Sequence, residues 1–279
     1  MLLAVTPGDP EGIGPELLAM LLRRGRTPAG ATLLCFGATA PYRRLGVRVV
    51  EVPDVSAARR LPRPPGGTLY FVPAPTSLPA GHSQARGALA GHQSGWAIEA
   101  AARAVLAGFA DAMVTGPISK ERLNRGGYPY PGHTEFIASV CGERAPRRGP
   151  LPVTMMLANR DLRVSLVTTH VPLAKVSKVL TPEAITRATE HTVAALRGWW
   201  GISKPRIAVC ALSPHAGEGG LLGHEENGVI TPTIRSLRRA LAGRAEVSGP
   251  HPSDTLFAQN QLKRRTLRYD AVVCMYHDQ

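Results

Sequence analysis

Short apolar runs and longer segments with helical spacing alternate along the chain. Runs rich in Val, Ile and Leu are typical of strands, and apolar residues three or four positions apart are typical of helices. The predicted strands are Leu2–Val5, Thr32–Gly37, Thr68–Val72 and Asp111–Thr115. The predicted helices are Pro15–Arg24, Ser94–Ala107, Pro182–Arg197 and Pro232–Leu241. This alternation predicts an α/β fold with a doubly wound sheet.

Three further apolar runs each end in a histidine: Leu162–His170, Arg206–His215 and Tyr269–His277. Each has the length and composition of a buried parallel strand. Ligands of open α/β sheets bind beyond the carboxyl ends of the strands, so the three terminal histidines predict a facial metal site. Neutral imidazoles suit zinc, iron, cobalt or nickel, and three protein ligands leave positions open for substrate. The alternative is that the histidines only end strands and cap loops.

Length and composition limit the class of protein. The chain has 279 residues, of which 44% are hydrophobic, so it can form one large or two medium α/β domains. No apolar stretch reaches the ~20 residues of a membrane span, and no basic leader precedes the first strand, so we expect neither a membrane partner nor a signal peptide. Four widely spaced cysteines without a CxxC pair predict reduced thiols in a cytoplasmic protein.

The charge balance points to an anionic partner. Lys and Arg number 33 against 20 Asp and Glu, which gives a formal charge of +13. Such an excess occurs in proteins that bind nucleic acid or anionic substrates. The basic residues are dispersed, however, and aromatic residues are only 5% of the chain, too few for a base-stacking platform. We therefore predict no nucleic-acid partner.

Two glycine-containing turns join predicted strands to helices. The loop Gly8–Glu16 either binds an anion at the helix N-terminus or is a tight turn capped by Asp9. It is not a dinucleotide-binding fingerprint, because Leu17 stands where a third small residue is required. In Val114–Glu121, Thr115, Ser119 and Lys120 either bind a carboxylate or phosphate or leave a solvated lysine.

Three polar segments further along carry candidate site residues. His133 and Thr134 open a predicted helix, where they either bind an anion or serve as a cap. The Gly-rich loop Ser213–Glu226 is too polar to suit a purely structural connection, and within it Glu218 and His224 are predicted to orient His215. Asp254 is either an active-site carboxylate or a helix N-cap.

Seven blocks, taken in order, resemble the 4-hydroxythreonine-4-phosphate dehydrogenase family. They are Gly8–Glu16, Val114–Glu121, Pro131–Glu135, Thr168–Leu173, Pro214–Gly220, Asp254–Phe257 and Met275–Gln279. The resemblance implies an isocitrate-dehydrogenase-like fold of two α/β/α domains with an active-site cleft between them, here divided as 1–130 and 131–279. It also implies a homodimer.

The resemblance further implies roles for individual residues. His170, His215 and His277 would bind a divalent metal ion, either Zn, Mg or Co. His133 and Thr134 would bind the substrate, and we assign Asp254 and Asp278 as catalytic carboxylates. No residue is assigned to the nicotinamide cofactor.

The reaction implied by the family uses NAD, with NADP as an alternative. It oxidises the C3 hydroxyl of 4-phosphooxy-L-threonine, and the resulting β-keto acid loses carbon dioxide to give 3-amino-2-oxopropyl phosphate, on the route to pyridoxal phosphate. A Lewis-acid metal would stabilise the alkoxide and then polarise the ketone. The nicotinamide would accept the hydride.

Several residues depart from the family's usual blocks. Gly116 and Ser119 replace Ala and Asn, His251 and Ser253 replace Leu and Ala, and Ser213 replaces Asn. These departures leave 4-phosphorylated threonate or erythronate open as alternative substrates.

The family also continues past the block that ends at Gln279, into elements that supply phosphate-binding and cofactor-binding residues. We expect either a fragment of a longer protein or a degenerate copy, in which the 279 residues keep the fold but turn over poorly. A non-catalytic binding protein of the same fold is a further alternative.

Overall fold

The computed structural model describes residues 1–62, 64–82, 85–143, 149–261 and 268–279, without the side chains of residues 260 and 261. Within these ranges the chain forms two compact units, Met1–Val153 and Thr154–Gln279, and each contains a five-stranded sheet. The α/β fold predicted from the sequence is present in both units.

The first unit contains a wholly parallel sheet. Its strands are β1 (Leu2–Thr6), β2 (Thr32–Gly37), β3 (Arg48–Glu51), β4 (Thr68–Pro73) and β5 (Ala112–Thr115). Its helices are α1 (Gly14–Arg23), α2 (Ala40–Arg44), α3 (Ala88–Leu106), α4 (Lys120–Arg125) and α5 (His133–Gly142), with a 3-10 turn at Val55–Arg60. The strand order is β3-β4-β2-β1-β5.

Alternating side chains of this sheet enter two separate cores. Leu34 and Phe36 pack on the face covered by α3, whereas Leu33 and Cys35 pack on the face covered by α1 and α2. Successive residues of a strand point to opposite faces, so a continuous apolar run is needed when both faces are buried. The run Thr32–Gly37 meets this need.

Helix α5 belongs to the first unit. Phe136 and Val140 of α5 pack against Ile98 of α3 and Leu123 of α4. The division between the compact units therefore follows Val153, later than the division after residue 130 expected from the sequence. The reason is that the apolar face of α5 is buried on α3, a contact that sequence spacing does not reveal.

The second unit contains a mixed sheet. Its strands are β6 (Met155–Ala158), β7 (Arg163–Leu166), β8 (Arg206–Cys210), β9 (Glu246–His251) and β10 (Ala271–Cys274). Its helices are α6 (Val176–Val179), α7 (Pro182–Gly198), α8 (Thr231–Ala240) and α9 (Ser253–Gln261). The strand order is β6-β7-β10-β8-β9, and only β6 runs antiparallel to its neighbour.

Both faces of this second sheet are also buried. Ile207 and Val273 pack on the face covered by α7 and α8, while Ala208 and Cys274 pack on the other face with Leu256 of α9. No helix within the described ranges is long and apolar enough to cross a membrane.

The predicted strands and helices are present, with small shifts at their ends; α3 begins at Ala88 instead of Ser94. Strands β3, β6 and β9 were not predicted. Strands β3 and β9 are partly exposed at sheet edges and contain charged residues, and β6 is apolar but only four residues long and without a β-branched residue, so none has the pattern of the central strands.

Candidate functional site

The three strands that lead to the predicted metal histidines are neighbours in the sheet. Strand β10 lies between β7 and β8 and is parallel to both. Beyond β7 the backbone pairing continues, because Val167 N donates to Cys274 O at 2.9 Å and Thr168 N donates to Met275 O at 3.1 Å. The fold therefore places His170, His215 and His277 after the carboxyl ends of adjacent strands, as predicted.

His170 and His277 lie close together. Their ring centroids are 6.2 Å apart and the ring planes are inclined by 30°. Both residues line a cavity of about 520 Å³, whose walls include the apolar side chains of Val171, Leu173 and Val176. The cavity thus combines two imidazoles with an apolar wall.

A carboxylate sets the tautomer of His277. The Nδ1 atom of His277 lies 2.9 Å from Oδ1 of Asp278, which is itself 90% exposed. An ionised carboxylate only accepts hydrogen bonds, so Nδ1 of the imidazole carries the proton. The lone pair of His277 is then on Nε2, the atom available to a metal ion.

His215 lies in a left-handed turn, Pro214–Gly220. The φ angles of His215, Ala216 and Glu218 are 52°, 56° and 42°, and those of Gly217 and Gly219 are also positive. A left-handed conformation costs a non-glycine residue roughly 1–2 kcal/mol. Inside the turn, Nδ1 of His215 donates to Oε1 of Glu218 at 2.7 Å, which leaves its Nε2 as the free ring nitrogen.

The predicted meeting of all three histidines is not present. Among the described residues no group of three or more His, Cys, Asp or Glu side chains is arranged to hold a metal ion. The structure brings His170 and His277 together, whereas the ring of His215 is turned toward Glu218 of its own loop.

The chemistry of these side chains nevertheless suits a metal ion. Metal-binding histidines commonly donate their second ring N–H to a carboxylate, which fixes the ring and makes the other nitrogen a better ligand. His277 with Asp278 and His215 with Glu218 both have this arrangement. Glu218 thus contacts the ring of His215, as a residue that orients this histidine must. His224, for which the same role was predicted, lies beside Gly220.

The other predicted residues of the second unit are exposed. Asp254 lies in the first turn of α9, after the helix has begun at Ser253, so its carboxylate is inside the helix instead of at the N-cap position. A carboxylate in a first helical turn interacts favourably with the helix dipole. The contact described above for the Asp278 side chain is its hydrogen bond to His277.

His133 is the first residue of α5 and is partly buried. Its Nε2 atom is inaccessible to solvent and has no hydrogen-bond partner in the described part of the chain. Burial lowers the pKa of His133, so the imidazole is neutral near pH 7. Thr134 beside it is exposed. A polar atom without a partner at a helix N-terminus suits a bound ligand group.

The first loop is a structural turn. Asp9 accepts a hydrogen bond from Glu11 N at 3.0 Å and forms an ion pair with Arg122 at 2.9 Å. A Cβ atom on Gly8 would overlap Pro117, and one on Gly14 would overlap Pro7. These glycines therefore allow close packing of backbone, and the tight-turn interpretation is the one that the geometry supports.

The turn after β5 has a similar structural part. Ser119 caps α4, because its hydroxyl accepts a hydrogen bond from Arg122 N at 3.3 Å. Lys120 and Thr115 are exposed. Ser119 therefore has a structural role as a helix cap. The exposed Lys120 agrees both with anion binding and with a solvated lysine.

Two residues of the second unit were missed by the sequence analysis. Buried Glu226 accepts hydrogen bonds from Leu212 N and Ser213 N. Gln279 joins the ends of β8 and β10 to the start of α9, since its side chain bonds Ala211 O, Met275 N and Ser253 Oγ. Glu226 lies four residues before buried Ile230, the spacing of one helical face, which was the available signal.

Comparison with known proteins gives consistent matches. A family model for the pyridoxal phosphate biosynthetic protein PdxA matches residues 42–279. The chain is 40% identical over 287 residues to 4-hydroxythreonine-4-phosphate dehydrogenase of Ectopseudomonas mendocina, covering 99% of this chain and 78% of that protein. It is 42% identical over 284 residues to a protein of Bradyrhizobium diazoefficiens provisionally named D-threonate 4-phosphate dehydrogenase, covering 99% and 76%.

A solved structure agrees with these relatives. The crystal structure of 4-hydroxythreonine-4-phosphate dehydrogenase from Klebsiella pneumoniae superposes with a TM-score of 0.83 at 32% identity, covering 99% of this chain and 82% of that one. The relatives' names support a dehydrogenase role. On the extent of the family match and the identity to these relatives, the chain belongs to the pyridoxal phosphate biosynthetic protein PdxA family.

Proposed function

We propose that this chain is a divalent-metal-dependent dehydrogenase of a phosphorylated hydroxy acid. The substrate proposed first is 4-phosphooxy-L-threonine, oxidised at C3 with NAD and then decarboxylated to 3-amino-2-oxopropyl phosphate. The observation that supports it most strongly is the pair His170 and His277 at the ends of adjacent strands, with Nδ1 of His277 bonded to Asp278. The names of the relatives support a dehydrogenase of 4-hydroxythreonine 4-phosphate.

We assign the metal to Nε2 atoms of His170, His215 and His277. A bound divalent ion would stabilise the alkoxide formed from the substrate hydroxyl and polarise the ketone that follows. The carboxylates of Asp278 and Glu218 accept the Nδ1 hydrogens of their histidines, so in the neutral imidazole the lone pair lies on Nε2. The imidazole of His170 lies near that of His277, and both residues line the same cavity.

Substrate orientation is assigned to the N-terminus of α5. Neutral His133 offers a ring nitrogen that is buried and without a partner among the described residues, and Thr134 offers an exposed hydroxyl. The helix N-terminus favours an anionic group such as a carboxylate or phosphate. We assign the exposed carboxylate of Asp254 as the general base that would accept the proton of the C3 hydroxyl.

We include a nicotinamide cofactor in the proposal because the relatives are named dehydrogenases and the family resemblance implies such a cofactor. The glycines of the loop Gly8–Glu16 pack against backbone and do not form a phosphate cradle. No residue is therefore assigned to NAD or NADP, and no step is derived through the cofactor.

A second substrate class is supported by one specific relative. The protein of Bradyrhizobium diazoefficiens is 42% identical and is named for D-threonate 4-phosphate. Ser213 follows β8, His251 is the last residue of β9 and Ser253 is the first residue of α9, so the three replacements lie at or just after the carboxyl ends of β8 and β9. Dehydrogenation of 4-phosphorylated threonate or erythronate is thus the alternative function.

The test follows the formation of NADH by its absorbance. The purified chain is mixed with NAD, with saturating Zn²⁺, Co²⁺ or Mg²⁺, and with each of the three phosphorylated acids in turn. We expect the highest kcat/KM with 4-phosphooxy-L-threonine. Higher kcat/KM with the threonate or erythronate phosphate would select the alternative function. Binding of metal and phosphorylated acid without NADH formation from any of them would select a non-catalytic binding protein.

The assembly and compartment belong to the same proposal. We propose a homodimer, supported by the edge position of β6 and the 46% exposure of its apolar residue Leu157. Free, buried Cys35, Cys210 and Cys274 suit a reducing compartment, and we propose the cytoplasm. Light scattering of the purified chain tests the dimer.

A further inference from the structure

The turn that carries His215 needs a support, because its backbone follows a path that non-glycine residues rarely adopt. Five successive residues, His215 to Gly219, have positive φ angles. Three of them carry side chains, so the local sequence alone does not favour this path. Strained residues of this kind persist only where the surrounding structure over-determines them.

The carboxylate of Glu226 is placed to provide that support. Glu226 is only 3% exposed, and its Oε1 accepts hydrogen bonds from Leu212 N at 2.8 Å and Ser213 N at 2.7 Å. These two amides immediately precede the turn. One oxygen accepts both hydrogen bonds, so the entry of the turn is fixed by one buried side chain.

The second oxygen of Glu226 limits the course of the turn itself. Oε2 is inaccessible to solvent and has no hydrogen-bond partner within the described ranges. It lies so close to Gly217 that a Cβ atom there would be 2.8 Å away. Because Gly217 has no side chain, the backbone of the turn can pass close to the buried carboxylate. A side chain at this position would collide with Oε2.

The exit of the turn is anchored from the same segment. Asn227 Nδ2 donates to Gly219 O at 3.3 Å, and Leu222 N donates to Gly217 O at 3.2 Å. Glu218, in contrast, bonds the ring of His215 and is exposed. The two glutamates therefore have different tasks: Glu218 orients the imidazole, and Glu226 holds the backbone that carries it.

We propose that Glu226 is a positioning residue for the metal ligand His215. This inference rests on the proposed function, because it takes His215 as a ligand. It assigns a role in metal binding to a buried carboxylate that contacts backbone and no metal ion. Its loss would release the turn, so that His215 no longer presents Nε2 in one fixed direction.

The test compares Glu226→Leu with Glu225→Leu in the full chain, because leucine removes the oxygen that accepts both hydrogen bonds, whereas glutamine would keep one. The second variant makes the same chemical change one residue away, at a side chain that bonds neither Leu212 nor Ser213 in the contacts above. Co²⁺ titration followed by visible absorption gives the dissociation constant for the metal. Limited proteolysis of the metal-free protein, with fragment masses, measures the accessibility of residues 213–224.

We expect Glu226→Leu to raise the Co²⁺ dissociation constant about tenfold and to speed cleavage within residues 213–224, with circular dichroism unchanged. We expect Glu225→Leu to match the wild type in both measurements. A folded Glu226→Leu protein with wild-type Co²⁺ affinity would overturn the proposal. If this variant does not fold, Glu226→Asp is used, which keeps the carboxyl group but withdraws it from the two amides; failure of both variants to fold would also overturn the proposal.

The outcome is distinguishable from failure of the proposed function. If the wild type and His215→Ala bind Co²⁺ equally well, the metal assignment of His215 is wrong, and with it the positioning role. If His215→Ala loses affinity while Glu226→Leu keeps it, only the positioning role is wrong.

Discussion

The rings of His170 and His277 face each other at a centroid distance of 6.2 Å, although the two residues are far apart in the sequence. They meet because β7 and β10 are adjacent parallel strands, with Leu166 opposite Cys274. Each histidine follows its strand by a few residues, so both reach the same cavity. The metal assignment, the role of Asp278 and the role of His133 lead to separate experiments.

Replacement of either facing histidine should weaken metal binding. We expect His170→Ala and His277→Ala each to reduce Zn²⁺ bound after dialysis against a metal buffer, because each removes a ligand nitrogen. Elemental analysis gives the metal content. His191→Ala is the control, since His191 bonds Thr154 and is outside the cavity lining. Equal metal content in all four proteins would refute the assignment.

Asp278→Asn should lower metal affinity without lowering stability. The carboxylate accepts the Nδ1 hydrogen of His277, and loss of such a partner costs about 10–100-fold in metal affinity. Because the Asp278 side chain is 90% exposed, the thermal unfolding midpoint of the metal-free protein should not change. Asp161→Asn, at another exposed aspartate, is the control. An unchanged Co²⁺ dissociation constant would show that Asp278 does not support the ligand.

His133→Ala should raise the KM for the phosphorylated substrate and leave the metal content unchanged. We assign the substrate as the partner of the buried Nε2 atom, which has none among the described residues, so loss of the ring would remove one hydrogen bond from the bound substrate. Kinetics and elemental analysis on the same preparation check both parts. Thr134→Val is expected to change KM in the same direction. An unchanged KM in both variants would exclude this pair from substrate binding.

The lowered pKa of His133 should also appear in the stability of the protein. Burial depresses the pKa in the folded state, so the unfolded chain binds a proton on this residue at higher pH than the folded chain does. The contribution of His133 to the free energy of unfolding is therefore full above the ordinary pKa of about 6.5 and is lost progressively below it. Urea titrations of wild type and His133→Gln at several pH values measure this effect.

We expect His133→Gln to lose less stability than the wild type as the pH falls from about 7 to 5. Part of the acid sensitivity should remain, because burial also lowers the pKa of His251. His224→Gln, at an exposed histidine, serves as the control. Parallel curves for wild type and His133→Gln would contradict the buried neutral imidazole.

Close packing of α3 on α4 should make Gly91 intolerant of a side chain. A Cβ atom on Gly91 would overlap the carbonyl group of Arg122, which belongs to the backbone of α4. We expect Gly91→Ala to lower the free energy of unfolding by about 1–3 kcal/mol in urea titrations. Gly198→Ala, where no atom lies within 4 Å of the added Cβ, should be neutral or stabilising by up to about 1 kcal/mol. Equal changes in the two variants would refute the packing argument.

Much of the fold was predictable because its central strands are buried on both faces. The run Thr32–Gly37 is continuous and apolar for this reason, and its predicted bounds agree with those of β2. Strand β6 was not predictable in this way, because Met155–Ala158 is apolar but short and contains none of the β-branched residues typical of strands. The burial of α5 on α3, and with it the division after Val153, depends on contacts distant in sequence.

For the site, the sequence by itself determined which side chains are available: histidines after three apolar runs, and glutamates in a Gly-rich loop. That β10 lies between β7 and β8, so that His170 meets His277, was decided by strand order, which depends on pairing between distant segments. The direction of His215 and the burial of Glu226 were likewise decided by the left-handed turn. Its φ angles are held by hydrogen bonds from Leu212 and Ser213 to a carboxylate more than ten residues further along the chain, and such bonds have no counterpart in local sequence preference.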